Sequence, residues 1–352
     1  MIDENIIAIS KDIRIANTMH SDFYKKNFYY KHSLENIFKH SWQFIAKKSE
    51  INSSIYPFYF LKGSLNEPLI LTLKNKKYRI LSNVCTHRAS ILCEHNNNAD
   101  KVKCPYHGRT FDLGGNILNA PGFEKTKNFP QKKDNLHSYP FKKWKDFLFC
   151  SLNGSINIDA IFSDINKRLK GYPFEKIVLD NNSSNIYTLD AHWALYCENY
   201  LEGFHVPYIH KGLNKDIDLD TYKTILLENG VLQFTESKSS DKNNIMGSNI
   251  YAYYYWIYPN IMLNFYSWGI SINIIEPLSI NKTKIIFLSF PIKGSRQSEK
   301  SPSSLDVIEK EDQEIVKSVQ KGVLSNTYKR GRYSPSHELG VHHFHRLISK
   351  SL

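Results

Sequence analysis

Two histidines five residues apart follow a carboxylate in the stretch Asn199-Tyr200-Leu201-Glu202-Gly203-Phe204-His205-Val206-Pro207-Tyr208-Ile209-His210. The stretch begins with helical character. Pro207 is expected to bend or end the helix, because its ring blocks the backbone bond to the preceding turn. A bent backbone can aim His205 and His210 at one point, which is the start of a metal site with imidazole ligands. Such a site needs a third ligand, and periodicity suggests one. Leu305, Ile308, Ile315, Val316, Val319 and Val323 form an apolar stripe at helical spacing, and Asp312 falls within it. A carboxylate facing a core is unfavourable unless it is paired or bound to metal. Glu311 and Glu314 fall on the solvent side of the same wheel. Glu309 lies nearer the stripe edge and is the alternative ligand. A buried salt bridge is the alternative role for Asp312.

A second constellation lies upstream. Cys85-Thr86-His87 is followed, after sixteen intervening residues, by Cys104-Pro105-Tyr106-His107. Two reversals of chain, each with one thiolate and one imidazole, can close on one centre. Zinc accepts two Cys and two His. So does a two-iron, two-sulfur cluster, with the cysteines on one iron and the histidines on the other. Pro105, Gly108 and Gly114-Gly115 favour the cluster, because tight loops bring backbone N–H groups to its sulfurs. Cys93, Cys150 and Cys197 have no such spacing and are expected to be buried free thiols.

The elements that must position these residues follow from patterning. The chain has 352 residues, 41% hydrophobic and 13% aromatic, which excludes a disordered class. Its net charge of +12 is spread without long basic runs, so nucleic-acid binding is not expected; a diffuse attraction to an acidic electron carrier is the milder reading. Five cysteines, an acidic N-terminus and no apolar run near about 18 residues predict a soluble protein of a reducing cytoplasm, without a membrane span. Residues 1–40 read as helical. Residues 41–152 read as a small all-β domain of short runs separated by turn formers such as Asn75-Lys76 and Leu113-Gly114-Gly115-Asn116. Residues 153–352 begin with a helix over 158–169. They continue with seven strand candidates, at 184–189, 222–227, 231–236, 249–256, 262–265, 271–276 and 284–290, and end with a helix over 305–323. That is an α+β arrangement, an antiparallel sheet with a long helix across it. The polar loop 236–248 reads as mobile, and 295–304 is a second polar break. No Gly-x-Gly-x-x-Gly follows a strand, so no dinucleotide-binding unit is expected within the chain.

Cys85-x-His87 and Cys104-Pro105-Tyr106-His107-Gly108-Arg109-Thr110-Phe111 resemble the two cluster-binding loops of Rieske proteins. Asn199-x2-Glu202-x2-His205-x4-His210 resembles the iron motif of Rieske non-haem iron oxygenases. Glu311-Asp312, followed by Val319-Gln320-Lys321-Gly322, resembles the segment that carries the carboxylate ligand. Arg109 departs from the pattern, which often has Trp there. The resemblance implies a Rieske [2Fe–2S] domain followed by a helix-grip catalytic domain. It implies cluster ligands Cys85, His87, Cys104 and His107, and iron(II) ligands His205, His210 and Asp312. Asn199 and Glu202 become catalytic-site residues, with Glu202 bridging His107 of one subunit to His205 of its neighbour in a head-to-tail homotrimer. Cluster and iron within one chain would be too far apart for direct transfer. O₂ and an NAD(P)H-dependent reductase or ferredoxin are the implied partners.

Glu in place of the usual Asp at 202 resembles the branch that contains choline and carnitine monooxygenases. So do 251–277, with Tyr258-Pro259-Asn260, and the tail 331–345. The implied activity is hydroxylation or N-demethylation of a small substrate, with a quaternary ammonium compound first and an aromatic or alicyclic ring hydroxylation by a dioxygenase second. An electron-transfer protein with an inactive iron site and a structural zinc protein are the rival classes. Tyr251, Tyr253, Tyr254, Tyr255, Trp256, Tyr258, Phe265, Tyr266 and Trp268 crowd one region. They can line a cavity for a cation or fill the sheet core. The tail histidines His342, His343 and His345 are expected to pack rather than bind metal.

Overall fold

Short β-rich runs punctuated by turn residues build residues 39–155 into one of two compact units; the other joins residues 1–38 to 156–352. The computed structural model describes residues 3–238, 244–294 and 302–352. The predicted loop 236–248 therefore falls partly, and the break 295–304 mostly, outside the described residues.

The smaller unit contains β1 (Gln43–Lys47), β2 (Ile55–Phe60), β3 (Glu67–Lys74), β4 (Lys77–Ser82), β5 (Lys101–Lys103), β6 (Thr110–Asp112), β7 (Ile117–Asn119), β8 (Ser138–Tyr139), β9 (Phe141–Trp144) and β10 (Phe147–Cys150). They form sheets of order β1-β10-β9, β2-β3-β4-β8 and β5-β6-β7. The β3–β4 hairpin turns on Asn75 and Lys76, both at positive φ (50° and 63°), the backbone twist that a two-residue hairpin requires. Gly115 (φ 88°) makes the next tight turn, where a Cβ would press on Leu81 and the Leu136 carbonyl. Cys85 and Cys104 belong to the apolar core with Ile55, Ile70, Leu81, Val102 and Phe111. The strands β5 to β9 are too short to have announced themselves in the sequence.

In the larger unit, residues 3–38 form α1 (Glu4–Ile7), α2 (Ser21–Lys25) and α3 (Asn27–Asn36). After α4 (Asp159–Arg168) come β11 (Asp180–Leu189), α5 (Trp193–Tyr200), α6 (Val206–Ile209), α7 (Leu213–Asp216), β12 (Ile217–Leu227), β13 (Gly230–Ser237), β14 (Ile250–Ile257), β15 (Ile261–Tyr266), β16 (Gly269–Ser279) and β17 (Lys282–Pro291). The chain ends with α8 (Pro302–Val323) and α9 (Leu339–Ser351). All seven strands make one antiparallel sheet, β11-β17-β16-β15-β14-β13-β12, and α5 packs on β16 and α8. Among the described residues no helix is long and apolar enough to cross a membrane.

The buried face of α8 is not the one its apolar residues suggest. Glu309 (5% exposed), Gln313, Val316, Gln320 and Val323 face inward, whereas Val319 is 42% exposed. The polar members are tolerated because each has a partner: Glu309 holds Tyr196 Oη at 2.6 Å, and Gln320 Oε1 accepts from the His192 backbone N–H at 2.7 Å.

The tail histidines make packing contacts. His342 and His343 meet the carbonyls of Ser10 and Leu227, both at 2.8 Å, and His345 meets Tyr333 Oη at 2.6 Å. Helix α9 also brings Phe344 edge-on to Trp193 and Trp256. This approach depends on Gly340, where a Cβ would lie 2.3 Å from the Leu201 carbonyl oxygen. Backbone cannot yield as a side-chain tip can. Gly340→Ala is therefore expected to lose about 2 kcal/mol or more of stability, read as a lower urea midpoint. An unchanged midpoint would show that the α9 contact is looser than this.

Candidate metal centres and the cavity beside them

Helix α5 ends at Tyr200, with Leu201 as its cap, well before Pro207. Pro207 is therefore not the breaker that the sequence suggests. It sits in the first turn of α6, where a missing N–H is harmless. The break is made by Glu202, whose Oε2 accepts the backbone N–H groups of Phe204 and, at 3.0 Å, His205. Its other oxygen, Oε1, lies 2.6 Å from His205 Nδ1. One side chain thus sets both the backbone turn and the ring orientation.

Three donor atoms converge. His205 Nε2 and His210 Nε2 are 3.2 Å apart, and Asp312 Oδ1 lies 3.0 Å from His210 Nε2 and 3.6 Å from His205 Nε2. Ligands about 2.1 Å from one ion and at right angles stand about 3.0 Å apart, so the spacing fits one face of a metal's coordination sphere. The donor chemistry fits too. Each imidazole has its Nδ1 held by a carboxylate, His205 by Glu202 and His210 by Glu311 Oε2 at 2.7 Å. That arrangement places a proton on Nδ1 and turns both Nε2 lone pairs towards the Asp312 oxygen, a cluster of electron pairs that a cation relieves. Among the described residues this is the one group of three or more His, Cys, Asp or Glu donors within 4.8 Å of each other.

Helix α8 contributes more than Asp312. Glu311 is not merely solvated, as its wheel position suggested, because it reaches back to His210. Asn199 Nδ2 donates to Asp312 Oδ1 at 2.6 Å and holds it in place. Glu309, the alternative ligand, is turned to Tyr196 and Gln313 instead. Burial opposes a charged His210 ring, but Asp312 and Glu311 outweigh it and shift the group upward, so protons compete with metal there.

Burial pushes Glu309 up to about 7, assisted by Asp312 and Asp306 and opposed by the hydrogen bonds of Tyr196 and Gln313. The folded protein thus binds a proton that the unfolded chain releases near 4.5. The associated stability is complete below pH about 4.5 and is lost as pH rises through about 7, on the order of 3 kcal/mol in all. In metal-free protein, Glu309→Gln is expected to flatten urea midpoints across that window. A slope equal to that of the unsubstituted protein would place the titration elsewhere.

In the smaller unit the Cys85 and Cys104 thiols face each other, and the His87 and His107 rings lie 4.9 Å apart. The four residues therefore pair as Cys–Cys and His–His. They do not crowd a single point, which a tetrahedral zinc ion would require. A two-iron cluster spans such a gap. The backbone N–H of His87 points at the Cys85 sulfur, and those of Tyr106 and His107 at the Cys104 sulfur, together with the Ser90 hydroxyl. Arg109 is 3% exposed. Its guanidinium stacks on Phe123 and Phe129, 4.6 and 5.1 Å from their centroids, and donates to Thr86 Oγ1 at 3.1 Å. A flat cation thus fills the place of a packing aromatic. Cys150 and Cys197 are buried free thiols, whereas Cys93 is only partly covered.

A cavity of about 390 Å³ opens beside His205, His210 and Asp312. Its floor is a row across the sheet, Gln233, Tyr254, Asn264 and Ser271, which pair in register on four neighbouring strands. Period-two alternation puts all four on one face. Of the crowded aromatics, Tyr251, Tyr254 and Tyr266 line the cavity, while Tyr255, Trp256, Tyr258 and Phe265 are core. Tyr251 joins Tyr254 despite the wrong parity. Thr235 pairs with Ala252 and Glu236 with Ile250, so Tyr251 is the extra residue of a bulge that re-aims it. Tyr200, Tyr222, Gln233, Asn264 and Asn273 also line it. No local signal marks them, because their role depends on cross-strand register.

Residues 173–352 match the ring hydroxylating alpha subunit (catalytic domain) family, and residues 41–130 match the Rieske [2Fe-2S] domain family. The chain is 32% identical to a chloroplastic choline monooxygenase of Amaranthus tricolor, over 94% of this chain and 77% of that one. It is 26% identical to the carnitine monooxygenase oxygenase subunit of Escherichia coli K12, over 99% and 97% of the two chains. Its fold is similar to that of the quaternary ammonium Rieske monooxygenase CntA in complex with L-carnitine, with a TM-score of 0.77, 21% identity and 99% of both chains covered. It is also similar to naphthalene 1,2-dioxygenase from Rhodococcus sp., with a TM-score of 0.73, 15% identity and 95% and 93% covered.

Proposed function

The chain belongs to the Rieske non-haem iron oxygenase alpha subunits, oxidoreductases that carry a [2Fe–2S] cluster and a mononuclear iron, and from that premise we propose that it hydroxylates or N-demethylates a small quaternary ammonium compound. Electrons would come from NAD(P)H through a separate reductase or ferredoxin. The observation that carries this reading is the meeting of His205, His210 and Asp312 at the mouth of an aromatic cavity. The choline and carnitine monooxygenase relatives support it.

In this reading Cys85 and Cys104 hold one cluster iron, His87 and His107 the other, and His205, His210 and Asp312 hold the mononuclear iron. Iron bound there supplies open positions and electrons for O₂. The chain's own residues do the rest. Glu202 and Glu311 keep the Nδ1 protons of the two imidazoles, so that both Nε2 atoms stay available. Asn199 fixes the rotamer of Asp312 and is a positioning residue. Tyr251, Tyr254 and Tyr266 line the cavity, and aromatic rings of this kind attract an ammonium group. Glu202 is further proposed to receive His107 of a neighbouring subunit in a head-to-tail homotrimer. Its bond to His205 and the exposure of His107 support that role. The structure of a quaternary ammonium Rieske monooxygenase of similar fold is described as giving insights into inter-subunit electron transfer.

The experiment is a substrate screen with holoenzyme and a surrogate reductase, following NADH use together with oxidised product. Product from a trimethylammonium compound is expected. Dihydroxylation of an aromatic acid, with no product from any amine, would overturn the assignment.

A further inference from the structure

The cavity wall is one-sided in charge. Five acids line it, Glu202, Asp216, Glu309, Glu311 and Asp312, and among the described residues it has no Lys or Arg. Among the described lining residues acids therefore outnumber lysines and arginines by five to none. Three of the neutral amides that could meet an anion each have an N–H already committed. Gln233 Nε2 donates to the Tyr200 carbonyl at 2.8 Å, Asn264 Nδ2 to Ser271 Oγ at 3.0 Å, and Asn199 Nδ2 to Asp312. The hydroxyls of Tyr200 and Tyr222 are likewise given to Asn264 and Gln233, at 2.6 and 3.0 Å.

We infer that this site takes a cationic substrate without an anionic arm, an ammonium alcohol or simple methylated ammonium, and rejects zwitterions that carry a carboxylate. The inference rests on the function proposed above and narrows it. A carboxylate entering this wall would leave water for a surface of like charge and, among the described lining residues, find no Lys or Arg to pair with, which is unfavourable on both counts. An ammonium group meets acids and tyrosine rings together, and its hydroxyl can bond the polar floor. Rejection here comes from acids that have no Lys or Arg counterpart among the described lining residues rather than from a clash, and such a device discriminates strongly.

The test is anaerobic titration calorimetry of the ferrous holoenzyme with four probes: choline, its neutral carbon analogue 3,3-dimethylbutan-1-ol, γ-butyrobetaine and L-carnitine. Choline is expected to bind at least tenfold more tightly than either zwitterion and more tightly than the neutral analogue. Zwitterions that bind as tightly as choline would overturn the inference and leave the proposed function standing. If the neutral analogue bound and no ammonium compound did, the ammonium reading itself would fall, and this inference with it.

Discussion

Asp312→Ala is expected to leave the visible and EPR spectra of the [2Fe–2S] cluster unchanged while mononuclear iron and coupled product fall by at least about a hundredfold. Changes to groups that merely support a metal ligand weaken affinity by about 10–100-fold, and loss of a ligand sets a lower bound above that range. The geometry makes Asp312 hard to replace. Among the described residues it is the one carboxylate within reach of both His205 Nε2 and His210 Nε2, and Glu309 points away to Tyr196. The graded comparison is Asn199→Ala, which frees the Asp312 rotamer and should cost about 10–100-fold in iron affinity. Iron content and single-turnover product yield distinguish the two. Full iron occupancy in Asp312→Ala would remove Asp312 from the ligand set and reopen the electron-transfer reading.

Glu202→Gln is expected to separate metal binding from electron delivery. Gln is nearly isosteric, and its carbonyl oxygen can still accept from His205 Nδ1, so iron should remain bound. The amide has no second anionic oxygen to pair with an imidazole from a neighbouring subunit, and its NH2 group, itself a donor, cannot accept the Phe204 and His205 N–H groups that cap the turn. Oxidation of the pre-reduced cluster on mixing with O₂ and substrate should slow on the order of a hundredfold, since placement errors of about 1 Å are enough for that. Loss of iron in parallel with rate would show instead that Glu202 only orients His205.

Much of this could be read locally. The Cys-x-His and Cys-x2-His pairs, and Glu202, His205 and His210, stand close in sequence. All seven strands of the larger sheet lie where alternation and turn formers placed them, with ends shifted by a few residues. Other features were misread for physical reasons. Helical periodicity assumes that inward means apolar, and α8 breaks the assumption by burying Glu309, Gln313 and Gln320 against partners on other elements. Proline rules pointed to a break at Pro207, yet a carboxylate cap made it earlier, and Pro207 opened the next helix.

Residue type and spacing by themselves determined the two candidate metal sets, the order of the two halves and the chemistry that thiolate, imidazole and carboxylate can support, because ligand pairs a few residues apart are held by one stretch of backbone. Only the tertiary structure decided that Glu311 serves His210, that Asn199 pins Asp312 and that a bulge turns Tyr251 inward. It alone showed a cavity wall with acids and no cation among its described residues. Those facts depend on strand register and on a helix about a hundred residues away along the chain, contacts whose partners no local pattern can name.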